Sequence, residues 1–289
     1  MFRDMVRSYV TNDTDPFSRW PSVSYYVMGD IDDARAPGNE WRYADDWPIA
    51  ANEIKWYFHS DGLLMTKLPS SHDPLAYSYD PTNPVPTIGG KNLFLPAGPY
   101  DQCSVENRSD VLVFASPLLQ QPFEATGPVI ARLFVSSDCP DTDFTVKLTD
   151  MYPDGRSMFI TDGILRMRNR NGQDHWDFMQ PGVIYEVEVD LWSTSYIWNT
   201  GHRIRVEVSS SNYPRFLNNP NTADGIGKNT TYNIARNMLY VDATAPSCII
   251  LPEPISKGVP HMASPFSFVP EARLNDLFFS LLLTRMNGR

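Results

Sequence analysis

Across residues 181–215 apolar and polar positions alternate with a period of two. Val183, Tyr185, Val187, Val189 and Leu191 alternate with Ile184, Glu186, Glu188 and Asp190; further on, Ile204, Val206 and Val208 alternate with Arg203, Arg205 and Glu207. That period marks strands with one dry and one wet face. If the two strands are neighbours, acids on the first pair with arginines on the second. The 11 residues between Leu191 and Arg203, closed by Gly201, are too many for a tight hairpin. They suit a chain that crosses from one sheet of a sandwich to the other.

The same reading predicts strands at 23–28 (VSYYVM), 54–58 (IKWYF), 111–115, 129–135, 144–151, 158–161, 164–167 and 237–241. Pro153-Asp154-Gly155, between LTDMY and RSMFI, reads as a hairpin loop. Residues 246–254, PSCIILPEP, read as an edge strand because prolines bound them. Residues 69–104 hold too many prolines for a central strand and predict a long irregular segment, of the kind that is functional or docked on another surface. Helical spacing occurs only at the ends. Phe2, Met5, Val6 and Tyr9 make one short stripe, and Leu274, Leu277, Phe278, Leu281 and Leu282, preceded by Pro270, make another over 271–286. The second stripe docks on the chain's own core or meets another chain, so a homo-oligomer stays open. The pattern predicts an all-β protein, a sandwich or jelly roll with short N- and C-terminal helices.

Composition supports this. With 25 Pro, 16 Gly and 12% aromatics, the 289 residues favour many strands joined by irregular loops. A net charge of -10 argues against a nucleic-acid partner, since phosphate binding needs a basic stripe. Cys103, Cys139 and Cys248 match no metal-ligand spacing and read as structural thiols. The N-terminus lacks the apolar stretch of a secretory signal, and no run reaches the ~18 apolar residues of a membrane helix. The expectation is no membrane association, with the cytoplasm favoured.

Candidate chemistry is sparse. No G-x-S-x-G nucleophile elbow occurs, and His59, His72, His175, His202 and His261 form no H-E-x-x-H pair. His72 beside Asp73, and His175 near Asp174 and Asp177, read as loop hydrogen bonds before they read as catalytic dyads. Asp138, Asp141 and Asp143 are oxygen ligands of the type calcium takes, but no glycine or distal Glu completes a loop site, and a turn before a strand explains them better. Gly89-Gly90 lacks a following helix to bind phosphate. The aromatic groups Trp41/Tyr43/Trp47 and Trp56/Tyr57/Phe58 suit a core or seam before a sugar-stacking platform. No catalytic, cofactor-binding or metal-binding residue is assigned, and no cofactor is expected.

Several stretches, in order, resemble one family: YDPTNPVPTIGG (79–90), GPYDQ (98–102), RSDVLVF (108–114), TGPVIARLFVSSDCPDTDFTVKLTDMYPDGRS (126–157), DGILRMR (162–168), GHRIRVEVSSSNYPRFLNNPNT (201–222) and PSCIILP (246–252). They are similar to the C-terminal domain of the X-Pro dipeptidyl-peptidase family, which includes cocaine esterase and the α-amino acid ester hydrolases. The resemblance implies a jelly roll at 22–255, similar to galactose-binding modules, with residues 1–21 as a remnant of the hydrolase side and 256–289 as a tail. It implies a non-catalytic brace for an α/β-hydrolase chain or domain whose Ser, Asp and His would lie upstream of this sequence, and which acts on acyl esters or X-Pro amides. The jelly roll would also help wall the substrate cleft. A free-standing carbohydrate-binding-like module and an inactive truncated gene product are the alternatives.

Overall fold

The computed structural model describes residues 21–224 and 231–255, which fall into two units. The expected terminal helices lie outside the described residues. In the smaller unit, residues 21–26 and 40–46, β1 (Val23–Val27) pairs with β2 (Glu40–Ala44), and Tyr26 meets Trp41 edge-on at 5.5 Å.

The larger unit is a sandwich of two antiparallel sheets. The first runs β4 (Leu64–Met65), β3 (Ala51–Phe58), β13 (Cys248–Pro254), β7 (Phe123–Ser137), β12 (Ala235–Tyr240), β5 (Leu75–Tyr79), with β10 (Tyr185–Trp198) also on β7. β10 occupies one edge of β7 from Phe123 to Val135, so β13 (at Ile130–Arg132) and β12 (at Phe134–Ser137) divide the other edge. The second sheet runs β6 (Leu112–Ala115), β11 (Arg203–Ser209), β8 (Asp143–Met151), β9 (Ser157–Arg166).

Alternation places Ala131, Leu133, Val135, Val187, Val189 and Leu191 from the first sheet against Phe144, Val146, Leu148, Ile204, Val206 and Val208 from the second, all buried in one core. Phe58 stacks on Phe114 at 4.5 Å, and the buried Trp198 indole donates to the Thr149 carbonyl at 3.2 Å.

The strands at 183–191 and 203–208 lie in different sheets, as the long connection between them suggests, β10 in one and β11 in the other, so the conditional pairing of acids with arginines does not form. The acids of β10 instead meet Arg132 across β7, with Glu188 at 2.8 Å and Glu186 at 3.6 Å. Three expectations change. The polar residues after Leu191 are not loop, because β10 continues to Trp198 beyond a bulge between Asp190 and Ser193. The proline-bounded strand is not at an edge either, since β13 lies between β3 and β7. Its prolines are tolerated because N–H groups alternate in direction along a strand. Ile255 N donates to Ala50 on the β3 side, so Pro252 and Pro254 turn the other way, where the β7 ladder has already ended at Ile250.

Finally, 158–161 and 164–167 belong to one strand, β9, running on from the hairpin at Tyr152–Arg156. Gly163 lies inside this strand, and its missing side chain admits a neighbouring backbone: a Cβ there would lie 2.2 Å from the Asp190 carbonyl oxygen. Gly163→Ala is therefore expected to force β9 from β10 and cost about 1–3 kcal/mol. Thermal unfolding checks this, and an unchanged midpoint would refute the close approach.

Candidate functional site

The proline-rich segment has few backbone donors for a ladder of its own, so it docks on the outer face of the second sheet. Tyr213 holds it by two backbone bonds, its N donating to the Val85 carbonyl at 2.9 Å and its carbonyl accepting from Thr87 N at 2.7 Å. Gln102, fully buried at the start of a one-turn helix (Cys103–Glu106), donates its amide to the Ile88 and Tyr100 carbonyls, both at 2.9 Å. Val85, Val105 and Val111 form a small apolar cluster beneath it.

Because the loop covers this face, Lys147 of β8 and Glu207 of β11 are buried and Arg205 is half-buried. Lys147 Nζ donates to Gln102 Oε1 at 3.0 Å and pairs with Glu207 Oε2 at 3.3 Å, and Arg205 Nη1 bonds Glu106 Oε2 at 2.5 Å. Burial pushes Glu207 up to about 7, partly opposed by Lys147 and reinforced by Glu106. Asp162, also raised by burial, faces Arg215 at 3.0 Å and accepts from Asn212 at 3.0 Å.

From this anchored base the chain projects a short apolar tip. Gly90 and Gly98 close its neck with paired backbone bonds of 2.8 and 3.2 Å, both glycines at positive φ. Leu93 and Phe94 at the tip are 93% and 97% exposed. Adjacent large apolar side chains held in water on a fixed loop mark a surface meant to be covered.

A histidine constellation lies elsewhere, and sequence reading did not assemble it. His202 Nδ1 faces Asp150 Oδ2 at 2.9 Å and Nε2 faces Asp30 Oδ2 at 3.3 Å, all three buried. Burial alone would lower the imidazole, but the two carboxylates outweigh it and raise His202 above its ordinary range. Burial raises Asp150; Asp30 is lowered, where burial is outweighed by the Asp32 backbone amide, Asn199 and His202. With both ring nitrogens committed to carboxylates, His202 has none left to act as a general base. It pins Asp30, 172 positions away, to the sandwich.

The other candidates are dispersed. His175 meets Asp174 at 3.1 Å in an exposed pair, while Asp177 serves Arg170 at 2.6 Å. Asp138 accepts from the Arg236 amide at 2.8 Å, and Asp141 and Asp143 point to Arg168 and Arg166 at 2.7 and 2.8 Å. Among the described residues no group of three His, Cys, Asp or Glu is arranged to hold a metal. Trp56 packs edge-on to Phe123 at 5.7 Å and lies against the core. No described helix is long and apolar enough to cross a membrane.

Comparison with known proteins agrees with the fold. Cocaine esterase of Rhodococcus sp. (strain MB1 Bresler) is 38% identical over 258 residues, covering 84% of this chain and 44% of that protein. An α-amino acid ester hydrolase superposes with a TM-score of 0.76 at 25% identity over 88% of this chain and 44% of its own. An aminopeptidase from a marine sediment archaeon, Thaumarchaeota archaeon, does so with 0.74 at 27% identity, over 87% and 43%. The chain thus spans under half the length of these relatives. The model of the X-Pro dipeptidyl-peptidase C-terminal non-catalytic domain matches residues 16–250, and this chain belongs to that family.

Proposed function

We propose that this chain is the non-catalytic jelly-roll part of a serine hydrolase acting on acyl esters or X-Pro amides, completed by an α/β-hydrolase chain or domain that carries Ser, Asp and His. Residues 22–255 form the body in this reading, with 1–21 and 256–289 as flanking segments of the hydrolase side and the tail. The observation that carries it is the loop of residues 80–111. Buried charges and backbone bonds fix its base on the second sheet, while Leu93 and Phe94 stand in water. Such a tip fits a brace that inserts an apolar contact beside a partner's cleft.

The test is reconstitution with an α/β-hydrolase polypeptide of the family. A stable complex that hydrolyses p-nitrophenyl esters faster than the hydrolase alone supports the reading; a monodisperse lone chain without affinity for it removes it. The Leu93→Ala/Phe94→Ala double variant is expected to keep its stability within about 0.5 kcal/mol, as exposed positions do. It should weaken the complex by about tenfold or more, measured by titration calorimetry. Equal binding by wild type and variant would place the contact elsewhere.

A further inference from the structure

Trp192 has a backbone that large residues avoid: φ is 70°, in the left-handed region, and the ring is 66% exposed. It occupies the bulge between Asp190 and Ser193 in β10, and bulges re-aim side chains beside functional sites. A strained residue persists only when its surroundings over-determine it, and here they do so from several sides. Asp190 Oδ1 accepts from the Trp192 amide at 2.7 Å. The Asp190 carbonyl is seated against the bare Cα of Gly163. The Leu191 carbonyl accepts from the Thr161 hydroxyl at 2.5 Å.

That hydroxyl also receives Lys91. Lys91 Nζ donates to Thr161 Oγ1 at 2.8 Å, reaches the Leu191 carbonyl at 3.5 Å and lies 5.4 Å from the centre of the Trp192 ring. Lys91 directly follows Gly89-Gly90 and stands two residues before Leu93. Burial pulls its ammonium below the ordinary lysine range, against the favourable charges of Asp162 and Asp190. A half-buried ammonium of this kind holds its place through fixed acceptors and an aromatic face, and tryptophan offers the best such face.

We propose that Trp192 is a positioning residue: through Lys91 it locks the loop of residues 91–97, so that Leu93 and Phe94 meet the hydrolase and its ester substrate in a single pose. This rests on the reading of that loop as part of the cleft wall. The strained bulge supplies the rigid platform, and Lys91 is the link between platform and tip.

Two measurements separate the inference from the reading beneath it. In the chain by itself, backbone ¹⁵N order parameters at Leu93 and Phe94 are expected near ~0.85 in the wild type and below ~0.6 in Trp192→Ala and Lys91→Met, with Trp192→Phe between them and β7 amides unchanged. Order parameters that stay high in both variants overturn the inference. In the assembled hydrolase, Trp192→Ala is expected to raise KM for aryl esters about fivefold or more while kcat holds, and Trp192→Phe to restore most of the loss. If the tip loosens but KM does not move, the coupling stands and the cleft-wall reading fails.

Discussion

Arg168→Ala is expected to destabilise the sandwich by about 3–5 kcal/mol, because it strips the cation from a buried ion pair and leaves the anion behind. Arg168 follows β9 at a 3-10 turn (Met167–Asn169), and both it and Asp141 are excluded from water. Its backbone N and Nε donate to the two oxygens of Asp141 at 2.8 and 2.7 Å, while Nη1 and Nη2 donate to the carbonyls of Asp224 and Thr222, each at 2.7 Å. The rings of Trp176 and Phe178 lie 4.9 and 5.1 Å from the guanidinium carbon. Without the guanidinium, Asp141 keeps, among the described residues, the Arg168 backbone N–H and Asn219 Nδ2, at 2.6 Å, and two carbonyls lose a charged donor. Lysine should restore less than half the loss, because an ammonium cannot span Asp141 and both carbonyls as the planar fork does. Urea denaturation gives the answer, and a loss under about 1 kcal/mol for alanine would mean that Asp141 is not the buried anion described here.

Arg168 also shows where sequence reading stops. Apolar alternation located most strands of the sandwich, since the cost of burying a strand's wet face is written residue by residue. The same alternation set Arg205 and Glu207 on the wet face. They and Lys147 are polar, but a proline-rich segment 45 to 99 positions upstream covers them, and period two cannot distinguish a wet face from a charged face under a loop. Asp141 and Asp143 were legible as oxygen donors but not as partners of arginines some 25 residues later. His202 read as one of five scattered histidines because its carboxylates, Asp30 and Asp150, come from a loop and a strand far apart in the chain. The family resemblance supplied what alternation lacks, an order of motifs, and Leu93–Phe94, which fall between two of those motifs, became informative only when their exposure was known.

Glu207→Gln is expected to flatten much of the pH dependence of stability between about 4.5 and 7. Burial is the main cause that lifts the Glu207 carboxyl from 4.5 to about 7, the Lys147 ammonium opposes it, and Glu106 on the covering helix adds to it. Arg205 on the same face is engaged by Glu106, and Gln102 by Lys147. A folded-state value above the unfolded one means that the folded chain keeps a proton that the unfolded chain releases within this window, so stability falls as pH rises through it and levels off above about 7. The difference corresponds to a loss on the order of 3 kcal/mol at full ionisation. Glutamine fills the same volume, still accepts from Lys147 and has no proton to lose, so the variant should be the more stable protein at pH 8 and differ little at pH 4.5. His202, raised above 6.5 by its carboxylates, adds its own loss above that pH in both proteins, which is why the difference between wild type and variant is the quantity to follow. Parallel profiles of unfolding midpoint from pH 4.5 to 8 would show that Glu207 is ionised throughout, held so by Lys147 beneath the loop.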